Sequence, residues 1–188
     1  MKLPARTTSI IILMLIGVTS LVIQGITNLE SNQGYAPEQP LKFSHKVHTG
    51  DNPIPCLYCH YGALSSRHAG IPSLTVCMNC HSNIKKDSEE IGKIKKQLEE
   101  GKPIEWVKIN RLADFVYFSH EQHVSVGKIN CQECHGAIEK MMITEQEKQF
   151  TMGWCIDCHR KKDVVIPGTL EIVKESEIGG EDCGKCHY

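Results

Sequence analysis

Aromatic residues and net charge are both scarce in this chain of 188 residues. Only 6% of the residues are aromatic, and the formal net charge at pH 7 is −1. A balance this close to neutral, without a basic patch, argues against binding of nucleic acid. Hydrophobic residues make up 40% of the chain, but part of that share lies in one N-terminal run and part is cysteine. The composition therefore predicts an interior that depends on more than apolar side chains.

Cysteine is not scarce, and none of it stands outside one repeated pentapeptide. All 10 cysteines fall in five copies of Cys-x-x-Cys-His, called here the first to fifth motifs, which begin at positions 56, 77, 131, 155 and 183. This pentapeptide is the attachment site of c-type haem, in which both thiols bind the porphyrin and the histidine binds its iron from the proximal side. The predicted thioether cysteines are Cys56, Cys59, Cys77, Cys80, Cys131, Cys134, Cys155, Cys158, Cys183 and Cys186. The predicted proximal ligands are His60, His81, His135, His159 and His187.

Two other chemistries that use cysteine pairs fit the pattern less well. Zinc ribbons bind metal through paired Cys-x-x-Cys knuckles, but they do not need a histidine after every pair. Five disulfides would use all 10 cysteines of an exported protein, yet they leave the five following histidines unexplained. The pattern therefore predicts five covalent haem c groups, each with its iron, and a chain that is largely unfolded without them.

Five further histidines stand outside the motifs, one for each predicted iron: His45, His48, His68, His120 and His123. Four of them belong to a hexapeptide, F-S-H-x-x-H, that occurs at positions 43–48 and again at 118–123. In both copies a motif begins 8 residues after the second histidine, and another begins 21 or 24 residues later. The chain therefore contains a duplicated unit of one hexapeptide and two motifs, with the fifth motif alone.

The hexapeptide has a physical rationale as a source of distal ligands. Residues three apart on a helix lie on nearly the same face, one turn along. Both imidazoles of a hexapeptide can thus leave one short scaffold and reach two different irons, which would hold two porphyrins close together. Phe43 and Phe118, which open the two copies, are predicted to pack on porphyrin faces.

The distal ligand of the remaining iron has two candidate sources. His68 completes the count of one spare histidine per iron. The second unit has no histidine at the equivalent place but has Met141 and Met142, and Met152 is a further candidate. A methionine ligand would raise the reduction potential of its haem, whereas packing in a haem pocket is the alternative role for these side chains.

The N-terminal segment predicts a membrane anchor. Lys2 and Arg6 precede residues 8–26, a run of 19 residues without a charged side chain. As a helix this run is roughly 28 Å long, which is enough to cross the hydrocarbon core. The positive charge before it places the N-terminus inside the cell and the rest of the chain outside. The alternative is a cleaved signal peptide, but apolar character resumes at positions 21–23, after the candidate cleavage site, and this favours a retained anchor.

We expect three regions: a signal-anchor or transmembrane helix at 1–28, a polar linker at 29–41 and a pentahaem domain at 42–188. Within the domain we expect a unit at 43–81, a helical insert at 82–117, a unit at 118–159 and a C-terminal haem region at 160–188. Periodicity at 87–100 predicts an amphipathic helix capped by Asp87 or Ser88, with Ile91, Ile94 and Leu98 on one face and Gly101 at its end. Positions 106–118 predict a strand or an extended segment.

The hexapeptide and motif unit resembles the class III, or c7-like, multihaem cytochromes. The likeness is sharpest at 69–81 (AGIPSLTVCMNCH), 106–124 (WVKINRLADFVYFSHEQHV) and 150–160 (FTMGWCIDCHR). With five motifs and one anchor, the chain is similar to the pentahaem cytochrome subunits of alternative complex III, a bacterial assembly that oxidises quinol. The resemblance covers about residues 37–188. It implies a small cytochrome with few short α-helices and much coil around five haems, plus one N-terminal transmembrane helix.

The resemblance also implies a function. The chain would be an electron-transfer subunit with no catalytic residue of its own, while a partner subunit holds the quinol site. Its partners would be other membrane and exported subunits and a downstream cytochrome c or terminal oxidase. It would span the inner membrane once, with the haem domain on the periplasmic side. The alternative is a free-standing anchored or exported shuttle cytochrome; a multihaem enzyme of the nitrite-reductase type would need an iron with an exchangeable position.

We expect the mature protein to carry five covalent haem adducts, because each motif supplies both thiols and a proximal ligand. Intact-mass spectrometry of the denatured protein counts these adducts, and treatment with iodoacetamide tests the thiols. None of the 10 cysteines should react. A mass that corresponds to fewer adducts, or free alkylation of the cysteines, would contradict the prediction.

Overall fold

Short helical turns joined by coil make up most of the fold. The computed structural model describes residues 4–166 and 168–187. The α-helices are α1 (Ala5–Ser31), α2 (Cys56–Cys59), α3 (Leu74–His81), α4 (Glu89–Glu99), α5 (Cys131–His135), α6 (Met152–Lys161) and α7 (Cys183–Cys186). Between them lie two π-helical turns, Lys46–Asp51 and Gln122–Val126, and three 3₁₀ turns, Tyr61–Leu64, Ile138–Lys140 and Glu175–Ile178. Two short strands, β1 (Asp163–Val165) and β2 (Ile172–Lys174), pair antiparallel with Val164 opposite Val173. The prediction of few short helices and much coil agrees with this architecture.

The predicted amphipathic helix of the insert is confirmed as α4. The hydroxyl of Ser88 accepts the backbone N–H of Ile91 at 3.3 Å and so caps the start of the helix. Gly101 follows the end of α4 with φ of +66°, a left-handed conformation that favours glycine. Ile91 and Ile94 are buried and pack with Leu41 and Leu74. Because Leu74 starts α3, this cluster holds α4 against the helix that carries the second motif.

The segment at 106–118 is coil with a turn at 114–115, so of the two predicted forms, a strand or an extended segment, the strand is not present. Its backbone groups pair with side chains and loops rather than with a neighbouring strand. The N–H of Val107 donates to Oε1 of Gln39, and the N–H of Arg111 donates to Oε1 of Gln146, both at 3.0 Å. Gln146 is fully buried, and its backbone and side chain bond several parts of the chain together. These side-chain amides satisfy backbone hydrogen-bonding groups of the segment, so the segment needs no neighbouring strand.

The predicted linker is docked on the domain for most of its length. α1 continues to Ser31, beyond the expected boundary at 28. After it, the N–H of Gly34 donates to the carbonyl of Gln146 at 2.7 Å, and the N–H of Gln146 donates back to the carbonyl of Tyr35 at 3.1 Å. This paired exchange is stronger than the contact that a flexible spacer would make, and it fixes the chain between α1 and the motifs.

α1 contains the apolar segment that the sequence predicts. Arg6–Ile26 is long and apolar enough to cross a membrane, and every side chain described in it is exposed. A signal sequence near the N-terminus has the same length and composition. The structure therefore contains one N-terminal apolar helix, and retention as an anchor stays a prediction.

The polypeptide contributes little apolar core of its own. Within residues 4–166 and 168–187 only five hydrophobic side chains are buried: Leu41, Ala63, Leu74, Ile91 and Ile94. The accessible surface is 13,645 Å², whereas a globular chain of 21.1 kDa exposes roughly 9,000 Å². The exposed α1 contributes part of the difference. The remainder agrees with a fold whose core is supplied largely by bound groups.

The two repeat units meet at the first π-helical turn. The N–H of Lys46 donates to the carbonyl of Met141 at 2.9 Å, which joins the turn to the second unit. A Cβ atom added at Gly50 would collide with the backbone carbonyl of Glu139. Glycine is therefore required at this position for the close approach of the two units.

We expect Gly50→Ala to lower the melting temperature of the holoprotein, because backbone at Glu139 cannot move aside as a flexible side chain can. Overpacking of this kind costs about 1–3 kcal/mol, which corresponds to a drop on the order of 5 °C for a chain of this size. Thermal unfolding followed by circular dichroism measures it.

Gly92→Ala is the matched control. Gly92 lies in α4 with nothing within 4 Å of an added Cβ. Alanine is the better helix former, so this variant should leave the melting temperature unchanged or raise it. Equal behaviour of the two variants would show that the contact at Gly50 is not tight.

Candidate functional site

Four pairs of histidines face one another. In each pair a hexapeptide histidine meets the histidine of one motif. The ring centroids are 6.4 Å apart for His45 and His60, 6.0 Å for His48 and His81, 6.3 Å for His120 and His135, and 6.1 Å for His123 and His159. Two imidazoles that bind one metal from opposite sides through bonds of about 2 Å have centroids roughly 6 Å apart. The spacing of all four pairs thus fits one iron between the rings.

Hydrogen bonds at Nδ1 hold these rings in place. Seven of the eight imidazoles in the pairs have an oxygen acceptor at Nδ1, between 2.5 and 2.9 Å away. The acceptors are the hydroxyl of Thr144 for His45 and the carbonyls of Ser44 for His48, Gly70 for His60, Ile84 for His81, Arg67 for His120, Ser119 for His123 and Gly180 for His159. When Nδ1 donates, the neutral ring carries its lone pair on Nε2, the atom that binds metal. The pattern therefore selects the tautomer that an iron ligand needs.

Burial keeps several of these imidazoles neutral. It lowers the pKa of His45 to about 4, and the nearby charge of His60 contributes to the shift. Burial also lowers the pKa of His135 to about 4, with His120 contributing, and it lowers the pKa of His123. A protonated imidazole cannot bind a metal, so a lowered pKa leaves the ligand competent at neutral pH.

A π-helical turn, rather than an α-helix, carries the second histidine of each hexapeptide. His45 immediately precedes the turn Lys46–Asp51, and its partner His48 lies inside it. The second copy is built in the same way around Gln122–Val126. Single π-helical turns are rare and often occur at functional sites. Here the two rings of one turn face different motifs, as the spacing predicts.

The phenylalanine of each hexapeptide packs against both of its histidines. The ring of Phe43 stacks on His48 with centroids 4.4 Å apart and meets the edge of His45 at 4.9 Å. Phe118 repeats this at 4.3 Å from His123 and 4.9 Å from His120. Each phenylalanine thus fixes its two imidazoles relative to one another. The predicted packing of these phenylalanines on porphyrin faces stays a prediction.

The motif cysteines are positioned for thioether formation. Each motif forms one short helix or the end of a longer one, so its two thiols lie one turn apart on the same side. All 10 thiols are free of disulfides. Within the part of the chain that the structure describes, no three or more His, Cys, Asp or Glu side chains are arranged to hold a bare metal ion. The disulfide and zinc alternatives therefore find no support, whereas the residues of the first four motifs fit haem c.

The fifth motif is held differently. Nδ1 of His187 donates to the carbonyl of Phe115 at 3.2 Å, and the two rings are 5.5 Å apart. The N–H of Tyr117 donates to the carbonyl of Cys186 at 2.9 Å. The guanidinium of Arg67 lies 4.9 Å from the centre of the Tyr117 ring, which brings the neighbouring His68 to this side of the domain. His68 is exposed, and the structure does not place its ring against a motif histidine as it does for the other four.

The three candidate methionines lie elsewhere. The carbonyl of Met141 accepts from Lys46, and the sulfur of Met142 accepts from the hydroxyl of Ser44 at 3.4 Å. Both contacts are with the first hexapeptide region, whose two histidines already face motifs. Met142 and Met152 are 58% and 72% exposed. The contacts of these methionines therefore do not assign one of them to the fifth motif.

Sequence reasoning did not find the Nδ1 acceptors. Six of the seven are main-chain carbonyls, which any residue supplies, so residue type carries no signal for them. Thr144 is the exception because it accepts through its side chain. A lone threonine in a loop of the second unit could not be matched to a histidine of the first unit without the fold.

Comparison with known proteins finds similar proteins for part of the chain. Residues 116–188 match the family model described as "Cytochrome c7 and related cytochrome c". Over 104 residues the chain is 36% identical to a protein of Nitratidesulfovibrio vulgaris named "Menaquinone reductase, multiheme cytochrome c subunit". That match covers 55% of this chain and 48% of the relative, so the chain spans about half the length of the relative it matches. The region that holds the second hexapeptide and the last three motifs is thus similar to cytochrome c7 and related cytochromes c.

We expect Thr144→Val to raise the reduction potential of the haem held by His45 and His60. The hydroxyl at 2.8 Å makes the ligand imidazole more basic and so favours ferric iron. In a redox titration followed by absorbance, about one fifth of the total change should move to higher potential.

Two variants serve as controls for that titration. Thr144→Ser keeps a hydroxyl at the same place and should titrate as the parent does. Thr169→Val removes an exposed hydroxyl that donates to Ile166 in the hairpin turn, away from the histidine pairs. The prediction is wrong if Thr144→Val titrates like either control.

Proposed function

We propose that this chain is an electron-transfer subunit that relays electrons through five covalently bound haem c groups in a membrane complex that oxidises quinol. The observation that carries the proposal is the set of four opposed histidine pairs, each built on a Cys-x-x-Cys-His motif. Haem c supplies one-electron chemistry when bound. The protein supplies two imidazoles per iron, fixes their tautomers and leaves no position for a substrate at these four sites.

The fifth motif supports a count of five. α7 has the same form as the other short motif helices, and the carboxylate of Asp182 caps it by accepting the N–H of Gly184 at 3.0 Å. His187 has an acceptor at Nδ1, as seven of the paired histidines have. Its distal ligand is proposed to be His68, with Met141 or Met142 as the alternative. His68 is favoured because Arg67 stacks on Tyr117, whose N–H bonds the fifth motif.

We infer the surroundings of the chain from α1 and from the docked segment after it. An exposed apolar helix suits a single-pass anchor in the inner membrane, and the sequence places Lys2 and Arg6 before its uncharged run, which suits motifs on the periplasmic side. The hydrogen bonds of Gly34 and Gln39 to the domain would hold the motifs near the membrane surface. In the proposed organisation the anchor is followed by one pentahaem domain, and a partner subunit holds the quinol site.

The kind of complex has two candidates. The resemblance at 69–81, 106–124 and 150–160 favours alternative complex III, in which electrons would leave quinol and pass to a cytochrome c or terminal oxidase. The relative named as a menaquinone reductase subunit favours the opposite direction, from an electron donor through the haems to menaquinone. In either kind of complex this chain would be a relay beside a quinone site. A free-standing shuttle is the alternative without fixed partners.

We expect large membrane subunits to co-purify with the chain in mild detergent. An affinity tag inserted beside Leu170, which is 97% exposed in the hairpin turn, avoids both the anchor and His187. Gel electrophoresis with haem staining then shows the haem-bearing chain and its companions. A chain that purifies alone, with all its haems, would contradict the complex and favour the shuttle.

The same preparation shows in which of the two directions electrons flow between quinone and the haems. Menaquinol added under argon should reduce the haems if the complex oxidises quinol. Menaquinone added to the reduced complex should reoxidise them if the complex reduces quinone. A tagged chain in which a cleavable signal peptide replaces residues 1–28 is the matched control, since it should be exported and keep its haem absorbance but respond to neither quinone form.

A further inference from the structure

We propose that the five motifs lie in one row whose spatial order differs from their order along the chain: second, first, third, fourth, fifth. The proposal rests on the proposed function, in which every motif holds a haem. It adds the sequence of neighbours in the relay, and it assigns the two ends of the relay to the second and fifth motifs. Four contacts between motifs carry it.

The second motif lies beside the first. Their distal histidines, His48 and His45, lie within and immediately before one π-helical turn and are three residues apart. The amide of Asn79, inside the second motif, donates to the hydroxyl of Tyr58, inside the first, at 3.0 Å. These contacts join the two motifs directly.

The second motif is also an end of the row. On its other side α3 packs against α4, where Cys77 and Met78 border the cluster of Ile91 and Ile94. The contacts described for this side are with the helical insert and not with another motif. A row in chain order would instead need the second motif to lie against the third.

The third motif lies beside the first, not the second. The turn that follows His45 of the first unit is bonded to the second unit, since the N–H of Lys46 donates to the carbonyl of Met141 at 2.9 Å. The supports of the distal ligands also cross between units at this point. His45 of the first unit donates to Thr144 of the second, and His120 of the second unit donates to the carbonyl of Arg67 in the first, each at 2.8 Å.

The fourth motif lies beside the third. Their distal histidines again share one hexapeptide, and the ammonium of Lys162 after the fourth motif contacts the carboxylate of Glu133 inside the third at 3.1 Å.

The fifth motif lies beside the fourth. His159 donates to the carbonyl of Gly180 at 2.5 Å, and Arg160 pairs with Glu181 at 2.7 Å, just before the fifth motif begins. The row therefore ends at the C-terminal motif.

The order has a functional consequence. In a row, one electron moves between neighbouring sites at each step, and no proton or leaving group is needed. Electrons then enter and leave at the second and fifth motifs. The surfaces beside α3 with α4, and beside α7, are the places where an electron donor and an acceptor would bind.

Two double variants of the full-length holoprotein test the order. His45→Met with His120→Met marks the first and third motifs, and His48→Met with His120→Met marks the second and third. A methionine ligand raises the potential of its haem, so the marked pair accepts electrons before the others. Neighbouring sites repel a second electron, whereas distant sites are screened from one another.

We expect the first double variant to titrate with its two high-potential haems split into separate waves, relative to the two single variants. The second double variant should titrate as the sum of its single variants. A larger split for the second and third motifs than for the first and third would overturn the order. Intact mass distinguishes the failures, since fewer than five adducts overturns the proposed function, whereas five adducts with the wrong split overturns only the order.

A second measurement decides the order if methionine fails to bind at any marked site. A crystal structure of the holoprotein gives the iron–iron distances directly. The order predicts that the iron of the third motif is nearer to that of the first than to that of the second, and that the fifth is nearest to the fourth. The reverse of either relation would overturn it.

Discussion

The opposition of a hexapeptide imidazole and a motif imidazole, at a spacing that would fit one iron between them, is the constraint on which the rest of the structure depends. Each such pair joins two separate segments, and the two thioethers of the motif would tie the same haem to the chain covalently. A fold with four such joints needs few apolar contacts of its own. This accounts for a core of only five buried hydrophobic side chains among the described residues. It also accounts for the dependence of the fold on its cofactors, as in small metal-binding domains.

The two repeat units are not independent copies placed side by side. The ring of His45 is held by Thr144 from the other unit, and the ring of His120 is held by the carbonyl of Arg67 from the other unit. Neither unit can therefore complete the support of its own first distal ligand. The exchange requires close approach of the two backbones, which is why a glycine is needed at position 50. Because the unit is duplicated, both copies have the same candidate ligands. Because the copies pack together, each supports a ligand ring of the other.

How much the sequence predicts follows from which groups hold the fold together. The motifs and hexapeptides require particular residue types at fixed spacing, so the ligand candidates can be identified from the residues alone. α4 is predictable because its cap at Ser88 and its periodicity are local. The hairpin β1–β2 was missed, since three-residue strands have too few positions to show alternation. At 106–118 the sequence could not decide between a strand and an extended segment, because the amides of Gln39 and Gln146 take the place of a strand partner, and side chains that distant give no local signal.

The helical insert contacts both the second and the fifth motifs, so it does more than separate the two repeat units. In its first half, Ile91 and Ile94 of α4 pack against α3, the helix that carries the second motif. Its last residues hold the fifth motif, because the carbonyl of Phe115 accepts from His187 and the N–H of Tyr117 donates to Cys186. Between these points the insert is bonded to the domain at Val107 and Arg111. The insert thus contacts both the second and the fifth motifs, in addition to the contacts that tie the second motif to the first and the region of the fifth motif to the fourth.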